Sequence, residues 1–185
     1  MGDLPPEDGW TTDDLNAFPD DGVRRELLDG VLLVPPSRTD IHQIVAMRLM
    51  AALEGSCPIA YQVTQGMEVR IGRRCCFSPD VLVATDEAAC RRPAFYEPQE
   101  IVLAAEIVSP ASQSMDHITK KALYAASGIP HYWVIETDNG LVVHTHELDS
   151  RVRIYRPAIT FDVEVDVPEP WPIRVPLKRL TPRYL

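Results

Sequence analysis

Two apolar runs, PDVLVA (residues 79–84) and IVLAAEIV (residues 101–108), each carry one acidic side chain and together decide the fold. Asp80 opens the first run, and Glu106 interrupts the second. Short runs rich in Val, Ile and Leu predict buried strands. Because carboxylates are seldom buried without a partner or a metal, Asp80 and Glu106 are the first candidates for functional residues.

The segments around these two strands predict an α/β fold with a central mixed sheet, flanking helices and peripheral hairpins. Asp29-Gly30 stands between Glu26-Leu27-Leu28 and Val31-Leu32-Leu33-Val34 and predicts a first hairpin, because Gly accepts the positive φ of a tight turn. The remaining predicted elements are a helix capped by Asp40 and ending at Gly55, strands at 61–63 and 67–71, a helix over 115–127 ending at Gly128, and a hairpin turning at Asp138-Asn139-Gly140.

The 185 residues are expected to form one domain with two extensions. Residues 1–24 are acidic and predict one short helix, N-capped by Thr11 or Thr12. Residues 25–156 form the predicted core. Residues 157–185 are Pro-rich and are expected to pack on the core; the alternation over 161–167 predicts an edge strand followed by irregular chain.

The formal charge of −9 argues against a nucleic-acid partner, because phosphate backbones are bound largely by Lys and Arg. The charge is unevenly distributed, however. Residues 1–30 hold nine acids against Arg24 and Arg25, a balance of −7, so the remaining 155 residues carry only −2. With no signal-peptide pattern and no run of about 18 apolar residues, we expect a cytoplasmic protein without membrane contact.

A pair of buried strand carboxylates suits metal-dependent cleavage of a phosphodiester. That reaction needs an attacking water, neutralisation of charge on the phosphoryl group and stabilisation of the departing oxygen, and Mg²⁺ can serve all three needs. Mg²⁺ prefers oxygen ligands and keeps several waters, so Asp80 and Glu106 plus one backbone carbonyl suffice as the protein's share. The alternative is structural: each acid lies at a strand end or pairs with an arginine.

Several segments, taken in order and with their spacing, resemble the Uma2 family of the PD-(D/E)XK nuclease group. They are ELLDG (26–30), His42, PDV (79–81), EIVSP (106–110), Asp116-x-x-x-Lys120-x-x-x-Tyr124 and GIPHYW (128–133). The resemblance implies a restriction-endonuclease-like domain and a Mg²⁺ cofactor, with Mn²⁺ as a substitute. It also implies three metal ligands: Asp80, Glu106 and the backbone carbonyl of Ile107.

The candidate catalytic lysine does not stand at the usual place. In the E-x-K arrangement the lysine would occupy position 108, on the same strand face as Glu106, but this chain has Val108. The resemblance assigns the role to Lys120 in the following helix. Lys120 would orient and help deprotonate the attacking water, or stabilise charge on the phosphate. Helical geometry alone does not choose between Lys120 and Lys121.

Four more residues are candidates for the site. For three of them a purely structural role is also possible. Glu26 could bind a second metal or simply flank the first hairpin. His42 could face the site, although a histidine on the helix surface or in the core is the commoner case. Asp116 could belong to the site, but an acid near a helix start more often serves as a cap. Tyr124 follows Lys120 by one helical turn and is an accessory candidate.

We therefore expect a Mg²⁺-dependent endonuclease that hydrolyses DNA. The alternative is a catalytically inactive nuclease fold that binds nucleic acid or a protein partner, and a homodimer is left open. Two carboxylates held together without metal repel each other. From the sequence we thus expect Asp80→Asn to leave the stability of the metal-free protein unchanged or higher.

Overall fold

The computed structural model describes residues 6–138 and 140–184. Its helices are α1 (Thr12–Leu15), α2 (Asp40–Glu54), α3 (Asp86–Cys90), α4 (Lys121–Ser127) and α5 (Leu177–Leu180). A 3₁₀ turn spans Pro98–Glu100, and a π-helical segment spans Met115–Lys120 directly before α4. The strands are β1 (Glu26–Leu28), β2 (Val31–Leu33), β3 (Tyr61–Thr64), β4 (Glu68–Gly72), β5 (Cys75–Phe77), β6 (Val81–Thr85), β7 (Phe95–Tyr96), β8 (Ile101–Ile107), β9 (His131–Glu136), β10 (Val142–Asp149), β11 (Ile154–Tyr155), β12 (Ile159–Phe161), β13 (Glu164–Val167) and β14 (Ile173–Pro176).

A mixed sheet of seven strands forms the centre of the molecule. Its order is β11-β10-β9-β8-β6-β3, and β12 pairs with β10 beside β11. The strands β8 and β9 are parallel, whereas β6 pairs antiparallel with both β8 and β3. All seven residues of β8 are buried, as expected for a strand covered on both faces. The predicted central mixed sheet is therefore present.

The two faces of this sheet are covered by different elements. On one face, Leu103 and Ile107 of β8 share a hydrophobic core with Val45 and Leu49 of α2. On the other face, Ala104 of β8 shares a second core with residues of α4. Because side chains alternate along a strand, Glu106 lies on the same face as Ala104. The alternation thus turns the Glu106 carboxylate toward α4 and the π-helical segment before it.

A second sheet of five strands, in the order β2-β1-β5-β4-β7, contains the predicted first hairpin. Leu28 pairs with Val31, so the loop between them has two residues. Asp29 has φ 49° and Gly30 has φ 80°, the positive values that a tight primed turn requires. The short N-terminal helix α1 is also present and is N-capped by Thr11.

The helices that border the site differ from the prediction in two details. The side chain of Thr39, rather than Asp40, caps α2, and Asp40 is its first helical residue. Met115–Ser127 is not one α-helix, because its first six residues are π-helical. Both helices end where predicted, at Gly55 and at Gly128, whose φ of 94° suits a glycine.

The second predicted hairpin joins β9 to β10. These strands pair antiparallel, with Glu136 opposite Val142. The predicted turn was Asp138-Asn139-Gly140, of which Asn139 lies outside the described residues.

The C-terminal segment is more ordered than the sequence indicated. The edge strand predicted over 161–167 is present in part: β13 forms an edge strand over Glu164–Val167, whereas β12 ends at Phe161. The irregular chain predicted after it is wrong, because β14 pairs with β13 and is followed by α5. Trp171 and Ile173 are buried in the same core as α2. Short elements such as these gain their stability from packing, which local sequence patterns do not reveal.

Within residues 6–138 and 140–184, no helix combines the length and the apolar character needed to cross a membrane.

The burial of the C-terminal segment predicts its contribution to stability. Ile173 is fully buried and Ile59 is 95% exposed. Ile173→Ala should lower the free energy of unfolding by about 2–5 kcal/mol, because it opens a cavity in the core. The same change at Ile59 should shift it by no more than about 0.5 kcal/mol. Urea unfolding of both variants measures the difference, and equal values would mean that the C-terminal segment does not pack as described.

Candidate active site

Strand pairing brings Asp80 and Glu106 to one end of the central sheet. Val81 at the start of β6 pairs with Ala105 near the end of β8. The backbone N–H of Asp80, one residue earlier, donates to the carbonyl of Ala105 at 3.1 Å. Asp80 and Glu106 are thus neighbours across the two central strands. The apolar runs predict the two strands, and the pairing of β6 with β8 in the fold brings their acids together.

The carboxylate of Asp80 is buried, and both of its oxygens have partners. Oδ1 lies 2.7 Å from Nη2 of Arg38 and 3.5 Å from Nη1 of Arg24. Oδ2 accepts a hydrogen bond from the backbone N–H of Ile107 at 2.8 Å and lies 2.9 Å from Nε2 of His42. Burial alone would raise the pKa of Asp80, but His42, Arg38 and the Ile107 N–H lower it to about 2. Asp80 is therefore ionised at neutral pH and well satisfied.

Glu106 has a less favourable environment. Its Oε1 lies 2.9 Å from Nζ of Lys120 and accepts a hydrogen bond from the Tyr124 hydroxyl at 3.2 Å. Burial raises the pKa of Glu106 well above its ordinary value; Lys120 opposes the rise, and three nearby carboxylates add to it. The electrostatic cost of bringing these acids together therefore falls on Glu106. The contacts of Asp80 therefore do not support the expectation that Asp80→Asn leaves the stability of the metal-free protein unchanged or higher.

The ammonium of Lys120 is buried at the centre of three carboxylates. Its Nζ lies 2.9 Å from Glu106, 3.2 Å from Oδ1 of Asp116 and 4.0 Å from Oε2 of Glu26. Burial alone would lower the pKa of Lys120, but the three carboxylates raise it above its ordinary value. Burial is the main cause of the raised pKa of Glu106, whereas the pKa of Lys120 is raised against burial by the carboxylates around it.

Asp116 is part of this cluster and not a helix cap. It lies inside the π-helical segment, its side chain is buried, and its backbone carbonyl accepts the hydroxyl of Tyr132 at 2.8 Å. Among the described residues its Oδ1 makes no aligned hydrogen bond, although Lys120 is 3.2 Å away. The sequence-based preference for a capping role is therefore wrong.

Of the other candidates, Glu26 and His42 belong to the site and Lys121 does not. Glu26 is buried and accepts the backbone N–H of Ser78 at 3.1 Å, so it does more than flank a hairpin. His42 contacts Asp80, so the preference for an ordinary surface or core histidine is not supported. Lys121 has a different environment, near His146: burial, and after it the charge of Lys121, lowers the pKa of that histidine to about 4. The helix thus presents Lys120, and not Lys121, to the carboxylates.

The π-helical segment and α4 together supply three residues of the site. Asp116, Lys120 and Tyr124 recur at four-residue intervals and all contact the cluster or each other. A regular α-helix would also place such residues near one face, but the wider π-helical turn changes which side chains face the sheet afterwards. Segments of this kind are frequent at functional sites.

The side chains of Asp80, Glu106 and Asp116 line a cleft, which we call the Asp80 cleft. It has a volume of about 260 Å³, and its walls include Arg24, Pro35, Arg38, His42, Asp80, Glu106, Ile107, Ser109, Asp116 and Lys120. Arg24 and Arg38 also line a larger groove of about 1000 Å³ between α2 and the chain on either side of the first hairpin (residues 22–24 and 34–38), which we call the hairpin groove. The side chains of Phe77 and Tyr124 form an apolar wall behind Lys120. Any substrate that reaches the carboxylates from the hairpin groove must pass the two arginines.

The donor set suits a divalent cation with oxygen ligands. Four carboxylates (Glu26, Asp80, Glu106 and Asp116) meet only three permanent cations (Arg24, Arg38 and Lys120) at contact distance. In an extended strand the N–H and C=O of one residue face the same neighbour. Since the Ile107 N–H donates to Asp80, the Ile107 carbonyl faces the same side.

Mg²⁺ would complete such a set with water. Among the described residues, no three His, Cys, Asp or Glu side chains form a metal-binding group by themselves. Two carboxylates and one carbonyl are nevertheless an adequate protein share for Mg²⁺, which keeps several of its own waters. The residues present therefore fit this ion better than zinc, whose sites use three or four His, Cys or acidic side chains.

Sequence reasoning missed the two arginines of the site. Arg24 belongs to the only basic pair in an acidic N-terminal region, which was a usable signal. Arg38 has no such sequence signal, because it is a single basic residue between two prolines and a helix cap. Its contact with Asp80 spans 42 positions and depends entirely on the fold.

The fold and the site together define a restriction-endonuclease-like α/β domain with an acidic cluster at the end of its central strands. A sequence profile of the Uma2 family, described as "Putative restriction endonuclease", matches residues 12–175. The chain therefore belongs to the Uma2 family. No curated protein matches it.

One solved structure with a similar fold is described as a putative nuclease belonging to DUF820 from Anabaena variabilis. It is 18% identical in sequence, the match covers 92% of this chain and 96% of that one, and the TM-score is 0.70. At this identity the similarity shows the fold, which confirms the predicted fold class.

The contrast between the two carboxylates predicts opposite effects of removing each charge. In the metal-free protein at pH 7, Asp80→Asn should lower the free energy of unfolding by about 2 kcal/mol, since the pKa of Asp80 is lowered from 3.8 to about 2. Glu106→Gln should leave it unchanged or raise it, because Lys120 keeps Asp116 and Glu26 as partners. Urea unfolding in EDTA measures both variants.

The pH dependence provides a control for this prediction. A lowered carboxyl pKa stabilises the folded protein above the unfolded pKa, and the contribution disappears as pH falls through the folded pKa. The difference between the parent and Asp80→Asn should therefore shrink between about pH 4 and pH 2. An Asp80→Asn variant as stable as the parent at pH 7 would contradict the described environment of Asp80.

Proposed function

We propose that this protein is a Mg²⁺-dependent endonuclease that hydrolyses DNA, with Asp80, Glu106 and Lys120 as its catalytic residues. The observation that carries the proposal is the buried cluster in which Nζ of Lys120 lies 2.9 Å from Glu106, beside Asp80, at one end of the central sheet. The descriptions of the Uma2 family and of the similar Anabaena protein support the same class of activity. Mn²⁺ should substitute for Mg²⁺, because both accept oxygen ligands.

In this proposal, Asp80, Glu106 and the Ile107 carbonyl would hold the metal ion, and Glu26 is a candidate ligand for a second ion. A bound ion would supply Lewis-acid stabilisation of the phosphoryl oxygens and a water of lowered pKa. His42 and the Ile107 N–H hold Oδ2 of Asp80, which fixes the orientation of the carboxylate. The Tyr124 hydroxyl does the same for Glu106.

The environment of Lys120 favours one of its two expected roles. A lysine whose pKa is raised stays protonated at neutral pH and cannot accept a proton from water. An ammonium can instead donate hydrogen bonds to a water oxygen or to a phosphate oxygen. We therefore assign Lys120 the orientation of the attacking water and the stabilisation of negative charge as it develops on the phosphate.

The inactive-module alternative has one observation in its favour. Both oxygens of Asp80 already have partners, and one of those partners is the guanidinium of Arg38. A domain that uses Asp80 only as a structural acid would look similar at this point. The surplus of carboxylates around Lys120 favours the enzyme, because a purely structural cluster gains nothing from an excess of buried negative charge.

The proposal predicts cleavage of DNA that needs both the metal and Lys120. Purified protein should cut supercoiled plasmid with Mg²⁺ or Mn²⁺, and EDTA should abolish cleavage. Lys120→Met should lower the single-turnover rate by at least about 100-fold, since it removes a positioned charge-stabilising group. The matched variant Lys121→Met should keep the rate within about tenfold of the parent, because it removes at most one phosphate contact.

Folding of the variants needs a separate control. Lys120→Met leaves Glu106 with an unneutralised buried charge, which destabilises the site. The double variant Glu106→Gln/Lys120→Met returns the cluster to the parent's excess of one carboxylate over its permanent cations, so it should be more stable than Lys120→Met, yet should remain inactive. Absence of cleavage of single- and double-stranded DNA and RNA by the folded parent with either metal would favour the inactive module.

A further inference from the structure

We infer that Arg38 exchanges partners when a metal ion and DNA bind: it neutralises Asp80 in the metal-free protein and binds a phosphate of the DNA once a metal ion takes Oδ1 of Asp80. This inference rests on the proposed nuclease function and assigns Arg38 to substrate binding at that same site. The supporting observations concern the partners of Asp80, the freedom of Arg38 to move and its position between cleft and groove.

Only one oxygen of Asp80 can be released for a metal. Oδ2 is held by the backbone N–H of Ile107 and by His42, whose side chain is buried on α2. Oδ1 is held by Arg38 at 2.7 Å and, more distantly, by Arg24 at 3.5 Å. Because a carboxylate oxygen cannot keep a guanidinium at hydrogen-bond distance and bind a dication on the same side, metal binding at Asp80 competes with Arg38.

Arg38 is the arginine that can leave. It belongs to the segment 34–39, which has no helical or strand structure, and its side chain is 31% exposed. Arg24 has further partners, since it contacts Glu26 at 3.5 Å and the carbonyl of Ser78 at 3.4 Å. Among the described residues, the buried Nε of Arg38 has no hydrogen-bond partner. The guanidinium is thus only partly satisfied on Asp80.

A phosphodiester offers Arg38 a better partner. Arg38 lines both the Asp80 cleft and the hairpin groove, so its side chain stands where a substrate would enter. Phosphate oxygens can accept two parallel hydrogen bonds from one guanidinium, including the one from Nε that is unused here. The exchange also keeps charges paired, because the dication replaces Arg38 on the carboxylate while Arg38 moves to the phosphate.

The exchange predicts that Arg38→Met changes metal binding and DNA binding in opposite directions. Without Arg38 on Oδ1, the Kd for Mn²⁺ measured by titration calorimetry in the absence of DNA should fall at least about fivefold. Binding of a fluorescein-labelled DNA duplex in saturating Ca²⁺, measured by anisotropy, should weaken by about 10- to 100-fold, the scale of a charged hydrogen bond. Arg38→Lys should recover only part of the DNA binding, because Lys lacks the planar fork.

Arg91→Met is the matched control. Arg91 carries the same charge but pairs with Glu100, beyond the opposite end of β6, so this variant should leave both affinities at the parental values. Thermal melts in Mn²⁺ show whether each variant is folded.

Two results would overturn the exchange. One is a Kd for Mn²⁺ that is unchanged or higher in Arg38→Met, which would mean that Arg38 does not compete with the metal. The other is unchanged DNA affinity, which would make Arg38 only a structural partner of Asp80. Neither measurement needs turnover, so a parent protein that binds Mn²⁺ and DNA but cuts nothing would defeat the proposed nuclease and not the exchange.

Discussion

The buried ammonium of Lys120 is the interaction on which the site depends. It neutralises carboxylates that come from a strand, a hairpin and its own helix: Glu106, Glu26 and Asp116. Among the described residues, Glu106 and Asp116 have no other cation at contact distance, and an unpaired buried charge costs several kcal/mol. Glu26 also contacts Arg24 at 3.5 Å. Lys120 thereby ties the π-helical segment to the central sheet. The strand pairing of β6 with β8 then brings Asp80 to the same cluster.

One lysine does not balance all the acids, and this surplus gives the site its chemical character. Asp80 obtains its own partners in Arg38 and His42, so the unfavourable charge accumulates on Glu106. A fold selected for stability alone would pair or remove such a charge. The surplus is understandable if a divalent cation completes the cluster, since the ion attracts every oxygen that Lys120 cannot fully neutralise.

The elements that could be predicted from the sequence are those with local signals. The apolar runs around Asp80 and Glu106 predicted two central strands, and Asp29-Gly30 predicted a tight hairpin. Long-range features had no such signal: the Arg38 contact, the pairing of β13 with β14, and the burial of Asp116. Helical geometry alone did not choose between Lys120 and Lys121, because a simple α-helical projection does not include the π-helical turn found here. The family resemblance made that choice.

The roles proposed for Asp80, Glu106 and Arg38 all depend on where a metal ion binds. Diffraction from crystals soaked in Mn²⁺ without substrate, recorded near the manganese edge, locates the ion directly. We predict an anomalous peak within about 2.3 Å of oxygens of Asp80, Glu106 and the Ile107 carbonyl, with the Arg38 guanidinium moved off Oδ1. Crystals that bind no Mn²⁺ at the Asp80 cleft, with Arg38 still on Asp80, would contradict the central claim.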